Sequence, residues 1–232
     1  MITVHHLNNS RSQRVLWLLE ELALPYQLVR YERDAKTMLA PPALRAIHPL
    51  GKSPIVVDGD RTVAESGAIL EYLTDRYDTE CALSPSPRPL DAPERLQYRY
   101  WMHYAEGSAM PPLLMTLVFG RIRSAPMPFF AKPIARAIVD KAMSSFVGPQ
   151  VQLHLDWMEQ TLQAQLWFAG ERFTAADIQM SFPVQAAAAR GGGLDRHPRL
   201  QGFLERIEAR PAYQLALQKG GPFALMGSQG GD

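Results

Sequence analysis

The stretch His48-Pro49-Leu50-Gly51-Lys52-Ser53-Pro54-Ile55-Val56-Val57-Asp58-Gly59-Asp60-Arg61-Thr62-Val63-Ala64-Glu65-Ser66 decides how this chain folds. Ile55, Val56 and Val57 are a β-branched run that favours a strand. Gly59, between two aspartates, can take positive φ, and Arg61 to Ala64 resumes an extended pattern, so the pair predicts a hairpin with a tight loop. From Gly67 to Leu73 the spacing turns helical, which makes Ser66 a candidate N-cap.

Three features of this piece suit a small anionic peptide. Pro54 interrupts the entry to the strand; a cis bond there would turn the Ser53 main-chain N–H and C=O outward, unpaired. The Ser66 end of a helix offers free N–H groups and the positive end of a dipole to a carboxylate. Glu65 can hold an ammonium group and Lys52 a second carboxylate. Taken singly, each has a plainer reading: Ser66 only caps, Glu65 only favours the helix start, and Pro54 is trans.

Their order resembles the glutathione-binding domain of the glutathione transferase superfamily. The resemblance implies that Pro54 is cis and that the Ser53 backbone pairs with the cysteinyl part of glutathione. It implies that Glu65 and Ser66 grip the γ-glutamyl end, with Lys52 near the glycyl carboxylate. Glutathione is then the co-substrate, a small hydrophobic electrophile the other partner, the role detoxification and the assembly a homodimer, with no metal.

Outward from the hairpin, Ile2 to His6 is a short apolar run that predicts a buried strand. His5 and His6 face opposite sides of it and have no neighbour at metal-ligand spacing, so both read as structural. Leu7 to Arg11 is a loop. From Ser12, the apolar stripe of Val15, Leu16, Leu18, Leu19 and Leu22 predicts an amphipathic helix ending before Pro25. Tyr26 to Arg33 predicts a second strand, and Pro41-Pro42 opens a short helix that stops near His48. A βαβ unit, its crossover right-handed, followed by an antiparallel ββα unit is a thioredoxin-like arrangement. The fold class is therefore α/β plus all-α: a thioredoxin-like N-terminal domain over residues 1–79, then a helical-bundle C-terminal domain.

Residues 80–92 carry Pro85, Pro87 and Pro89, a stiff linker. Residues 93–226 show only helical patterns: Glu94 to Tyr104 and beyond, Lys132 to Trp167, Thr174 to Arg190, His197 to Glu208 and Tyr213 to Leu217. Thr174 and Asp177 form a capping-box variant, with Phe173 and Ile178 as its staple. A similar box occurs in the helical domain of the same superfamily, so the resemblance spans most of the chain. Residues 227–232 read as a loose tail.

Composition narrows the classes. With 232 residues and a formal charge of +1, the chain is long enough for a proper core and shows no nucleic-acid signature. Cys81 is its single cysteine, which excludes an internal disulfide framework and a Cys-x-x-Cys dithiol centre, and favours a reducing, cytoplasmic setting. No apolar run reaches the ~20 residues of a membrane span, and no membrane partner is expected.

The chemistry such a protein needs is a thiolate from a thiol of pKa about 8.5. A donor at the mouth of the first helix would supply it, so the loop Asn9-Ser10-Arg11-Ser12 is the place to look. By the resemblance, Ser10 occupies the position of the catalytic serine in serine-type members, with Asn9 as its rival and Arg11 adding positive charge. The plainer reading of Ser10 is that it caps the helix or faces solvent. Tyrosine-type classes fit poorly, because the nearest tyrosine is Tyr26. Tyr104, Met110, Leu113, Met115 and Phe119 are candidates for the electrophile pocket, each of them also readable as core. The alternative function is a non-catalytic glutathione-binding or regulatory module; hydroperoxide reduction, isomerisation or dehalogenation would use the same thiolate.

Overall fold

The computed structural model describes residues 1–34, 37–190, 193–223 and 225, with the side chain of residue 190 excepted. The expected tail, residues 227–232, lies outside the described residues. The N-terminal part runs β1 (Ile2–Leu7), α1 (Ser12–Glu21), β2 (Tyr26–Tyr31), a 3-10 turn (Pro42–Ala46), β3 (Ile55–Asp58), β4 (Arg61–Ala64) and α2 (Ser66–Tyr77). The sheet order is β2-β1-β3-β4, with β1 parallel to β2 and antiparallel to β3, and β3 antiparallel to β4. This is the βαβ–ββα arrangement expected from the hydrophobic pattern. Gly59 takes φ +64° in the hairpin loop, the conformation the Asp-Gly-Asp triplet anticipated.

The first helix ends as its sequence suggests, but with an unusual residue at the turn. The Leu24 N–H reaches the Leu19 carbonyl and the Ala23 N–H reaches Glu20, a Schellman pair. Ala23 therefore sits at φ +51°, where glycine is the usual occupant.

The helical part is α3 (Pro93–Tyr104), α4 (Met110–Ser124), α5 (Lys132–Ala142), α6 (Gly148–Ala164), α7 (Ala175–Arg190), α8 (Pro198–Glu208) and α9 (Pro211–Gly220). Wide π turns, Ala105–Ala109 and Met143–Val147, join α3 to α4 and α5 to α6. The helical region expected from Lys132 to Trp167 is two α-helices joined by one of these turns, ending at Ala164. Asp177 is fully buried and accepts from the N–H groups of Phe168 and Thr174, both at 2.8 Å. The Thr174 hydroxyl donates to the same carboxylate at 3.2 Å instead of accepting from the helix, so the box is built around Asp177. Burial pushes the Asp177 carboxyl up to about 7 against these hydrogen bonds.

The two parts share one core. Trp17 of α1 is buried between Phe173 and Tyr213, edge-on to the latter at 5.0 Å. Glu21 forms a forked pair with Arg210 at 2.6 and 2.8 Å, and Glu20 meets Lys219 at 2.6 Å. At the end of α9 the backbone comes so close to α1 that a Cβ on Gly220 would lie 2.7 Å from Gln13 Oε1 and 2.8 Å from Leu16 Cδ1. This contact fixes α1 against the helical domain.

Candidate active site

Pro54 is cis, as the resemblance implied. The β1–β3 ladder ends at the His5–Ile55 pair, so Ser53 lies beyond it. The Ser53 hydroxyl turns back to β1, donating to the His5 carbonyl at 3.0 Å and accepting the Leu7 N–H at 3.1 Å. Ser53, its hydroxyl held against β1, edges a cavity of about 260 Å³. Lys52, Pro54, Ala64, Glu65 and Ser66 share its wall with Ser53; His48 and Leu50 close one side, and Arg11 and Glu106 the other. The hairpin candidates Lys52, Ser53, Pro54, Glu65 and Ser66 are therefore brought together.

Ser66 is not the N-cap that the sequence suggests. The helix begins at Ser66 itself and the cap position falls on Glu65, which is held at φ +72° and ψ 121°. A non-glycine residue there carries about 1–3 kcal/mol of strain, and such strain clusters where a ligand is held. The physical reason for the shift is Arg14. Its Nη2 donates to Ser66 Oγ at 2.7 Å, so the hydroxyl serves a buried cation and its own proton is free to point elsewhere.

Arg14 is 2% exposed and also donates to Glu106 at 2.6 Å and to the Gln179 carbonyl at 2.7 Å. Burial lowers its pKa to about 10, with Glu106 opposing, so it stays charged at neutral pH. Glu106 sits in the π turn between α3 and α4 and takes a second guanidinium, Arg11 Nε, at 2.8 and 3.0 Å. Burial alone would raise the Glu106 carboxyl, but Arg14 and Arg11 outweigh it and hold it below the usual range. Two guanidiniums against one carboxylate leave this edge of the cavity positive. Arg14 and Glu106 are the site residues that sequence reasoning missed. A signal for the first was present: an arginine within the apolar helix of Val15, Leu16 and Leu18 needs an anion inside the fold.

Ser10 lies inside the fold, away from the cavity wall. It is 5% exposed and does not line the cavity. The Gly220 carbonyl can only accept, so His6 Nε2, 3.0 Å away, carries the imidazole proton. Burial lowers the His6 pKa to about 4, so the ring is neutral and Nδ1 must accept from Ser12 Oγ at 2.8 Å. Ser12 Oγ in turn accepts from Ser10 at 2.7 Å, and Ser10 Oγ takes the Ser12 N–H at 3.2 Å. This arrangement directs the Ser10 proton to Ser12, inside the protein. Asn9, at φ +47°, gives its carbonyl to Arg33 at 3.3 Å and does not line the cavity either. Arg11 alone of the three does.

The five electrophile candidates do not form one pocket. Tyr104, Met110 and Leu113 are core residues, 7, 4 and 3% exposed, and the Tyr104 hydroxyl is paired with His154 Nδ1 at 2.5 Å. Met115 and Phe119 line a separate apolar groove between α4 and the second π turn, which shares no residue with the cavity. Helical spacing marks an apolar position but does not say which face is inward, and here the faces diverge. Among the described residues, no group of three or more His, Cys, Asp or Glu is placed to hold a metal.

A thioredoxin-like sheet carrying a cis-proline edge, backed by a helical domain, defines a class that family comparison identifies. Residues 1–75 match the glutathione S-transferase N-terminal domain and residues 125–211 the C-terminal domain. Glutathione S-transferase 3 of Schizosaccharomyces pombe is 39% identical, over 94% of this chain and 88% of its own. Glutathione S-transferase 1 of Saccharomyces cerevisiae is 34% identical, over 94% and 95%. A crystal structure of a glutathione S-transferase from Actinobacillus pleuropneumoniae superposes with a TM-score of 0.79 at 34% identity, over 100% and 98%. The chain belongs to the glutathione S-transferase family and has its two-part, thioredoxin-like fold.

Proposed function

We propose that the cavity holds glutathione and that the protein, as a glutathione transferase, aims the glutathione thiolate at a small apolar electrophile. The observation that carries this is the meeting, in one cavity, of Ser53 and cis-Pro54 with the N-terminus of α2. In this reading the Ser53 N–H and C=O pair with the cysteinyl residue as a further strand would. The α2 N-terminus and the Ser66 hydroxyl take the γ-glutamyl carboxylate, Glu65 its ammonium, and Lys52 the glycyl carboxylate.

Activation of the thiol falls to Arg11. Lowering a thiol pKa by two units requires about 2.7 kcal/mol of preference for the charged form. A guanidinium at the mouth of α1, in a partly enclosed site with an excess of positive charge, suits this better than a serine whose proton points inward.

A homodimer is part of the same reading. Glu71 and Asp75 on α2 lie across a cavity from Arg95 and Arg99 on α3. Acidic and basic rows side by side are self-complementary under a two-fold axis. A cytoplasmic location and a role in detoxification complete the reading, supported by the single unpaired cysteine and by the apolar partner expected for the thiolate.

The test is glutathione titration calorimetry alongside conjugation to an aryl halide across pH. Ser10→Ala should keep wild-type turnover, and Arg11→Gln should shift the alkaline rise of kcat/KM upward by about one to two units. A loss of turnover in Ser10→Ala with an unmoved profile in Arg11→Gln would restore Ser10 to the role. Heat on adding glutathione with no turnover would favour the non-catalytic module, and no heat would remove the whole reading.

A further inference from the structure

The far end of the hairpin formed by α4 and α5 carries apolar side chains that the fold leaves outside. On α4, Leu114, Val118 and Ile122 recur every four residues and are 51, 46 and 42% exposed. On α5, Ile134 and Ile138 are 64 and 63% exposed, and Ala142 continues their face. Leu114, Val118, Ala142 and Phe146 meet in a groove of about 400 Å³ lined only by apolar residues, so the two stripes form one strip. Beyond it, the turn between the helices presents Phe129 and Phe130, 84 and 66% exposed and edge to face at 5.7 Å. A continuous apolar strip of this kind marks an interaction surface.

Charge decides what it meets. Residues 110–146 hold Arg121, Arg123, Lys132, Arg136 and Lys141 against one acid, Asp140, which pairs with Arg123 at 2.7 Å. Five cations less one anion give this segment +4, and since the whole chain is +1 the remainder is −3. We propose that the hairpin tip docks on an anionic lipid surface, with Phe129 and Phe130 entering the acyl boundary and the basic residues meeting headgroups. Two copies meeting tip to tip would set one +4 segment against another. The charged rows inferred for the dimer lie at the start of a helical run, Pro93–Ser124, that is about 48 Å long, with the tip at its other end. The dimer therefore leaves the tip open. A negatively charged membrane supplies the apolar layer and the counter-charge together. Among the described residues no helix is long and apolar enough to cross a bilayer, so the contact is with its surface. This departs from the expectation of no membrane partner.

The test is flotation of the full-length protein with phosphatidylcholine vesicles, alone or with about a third phosphatidylglycerol. Binding is expected only to the anionic vesicles and should weaken as salt rises. Lys132→Gln and Arg136→Gln should each lower partitioning about fivefold. Phe129→Ser with Phe130→Ser should abolish binding while the melting temperature holds, since both rings are already in solvent. Absence of binding to anionic vesicles overturns the proposal. So does equal binding to neutral ones, or a change of oligomeric state in the Phe129→Ser, Phe130→Ser variant, which would assign the strip to a second copy.

Discussion

Replacing Arg14 by methionine tests whether the buried guanidinium organises the site. Methionine keeps most of the aliphatic length, so packing is largely retained while three hydrogen bonds disappear: to Ser66 Oγ, Glu106 and the Gln179 carbonyl. Stripping one partner from a buried ion pair costs about 3–5 kcal/mol. The lower end applies here, because Glu106 keeps Arg11 and its side chain is 32% exposed. A loss near 3 kcal/mol lowers the melting temperature by about 6–12 °C for a chain of this size. Glu106→Leu should be worse than Arg14→Met, since it strands a cation that is 2% exposed and cannot reach water. The double variant should recover part of the sum, a positive coupling that a thermodynamic cycle isolates. Arg14→Met should also weaken glutathione binding about tenfold, because Ser66 loses the partner that fixes its hydroxyl. The assays are calorimetric melting and glutathione titration on the four proteins. An Arg14→Met protein that melts within 2 °C of wild type and binds glutathione equally would refute the reasoning, since Arg14 would then be a passenger.

Asp177 gives a pH-dependent prediction. Its carboxyl is raised to about 7 in the fold, so between pH ~4 and ~7 the native state binds more protons than the unfolded chain and this contribution to stability falls as pH rises. Asp177→Asn removes that fall, so the stability difference, variant minus wild type, should grow more favourable across the window; a flat difference in urea titrations would show the carboxyl is not raised. Ala23→Gly should stabilise by roughly 0.5 kcal/mol, the relief of a left-handed alanine less the added freedom of the unfolded chain, and a lower urea midpoint would contradict it. Gly220→Ala should cost about 1–3 kcal/mol through contact with Gln13 and Leu16, read as a drop in melting temperature.

The fold was legible because each of its elements announces itself locally. Ile55 to Val57, Asp-Gly-Asp and Arg61 to Ala64 could be little other than a hairpin, and Asp177 marks a helix start by chemistry that needs no tertiary partner. The boundaries were less legible where tertiary contacts override local preference. Ser66 has the residue type of a cap, yet Arg14, 52 positions earlier, draws its hydroxyl into the first turn. The π turn at Met143–Val147 likewise has no mark in a sequence whose helical character runs on through it.

The site divides along the same line. Residues grouped within one hairpin, from Lys52 to Ser66, were found together because short-range geometry alone assembles them. The direction of the Ser10 proton was not legible in the loop itself. That direction is set at the opposite end of the chain: the Gly220 carbonyl fixes the His6 tautomer, His6 takes the Ser12 proton, and Ser12 takes that of Ser10. Four residues of ordinary type, none unusual where it stands, decide that the hydroxyl faces inward. Arg11, one position on, has no such claim on it from within the loop and is drawn to the cavity by Glu106 of the helical domain. In this protein the helical domain therefore does more than cover the sheet. Through Gly220 it fixes where the Ser10 hydroxyl points, and through Glu106 it holds Arg11 at the cavity wall.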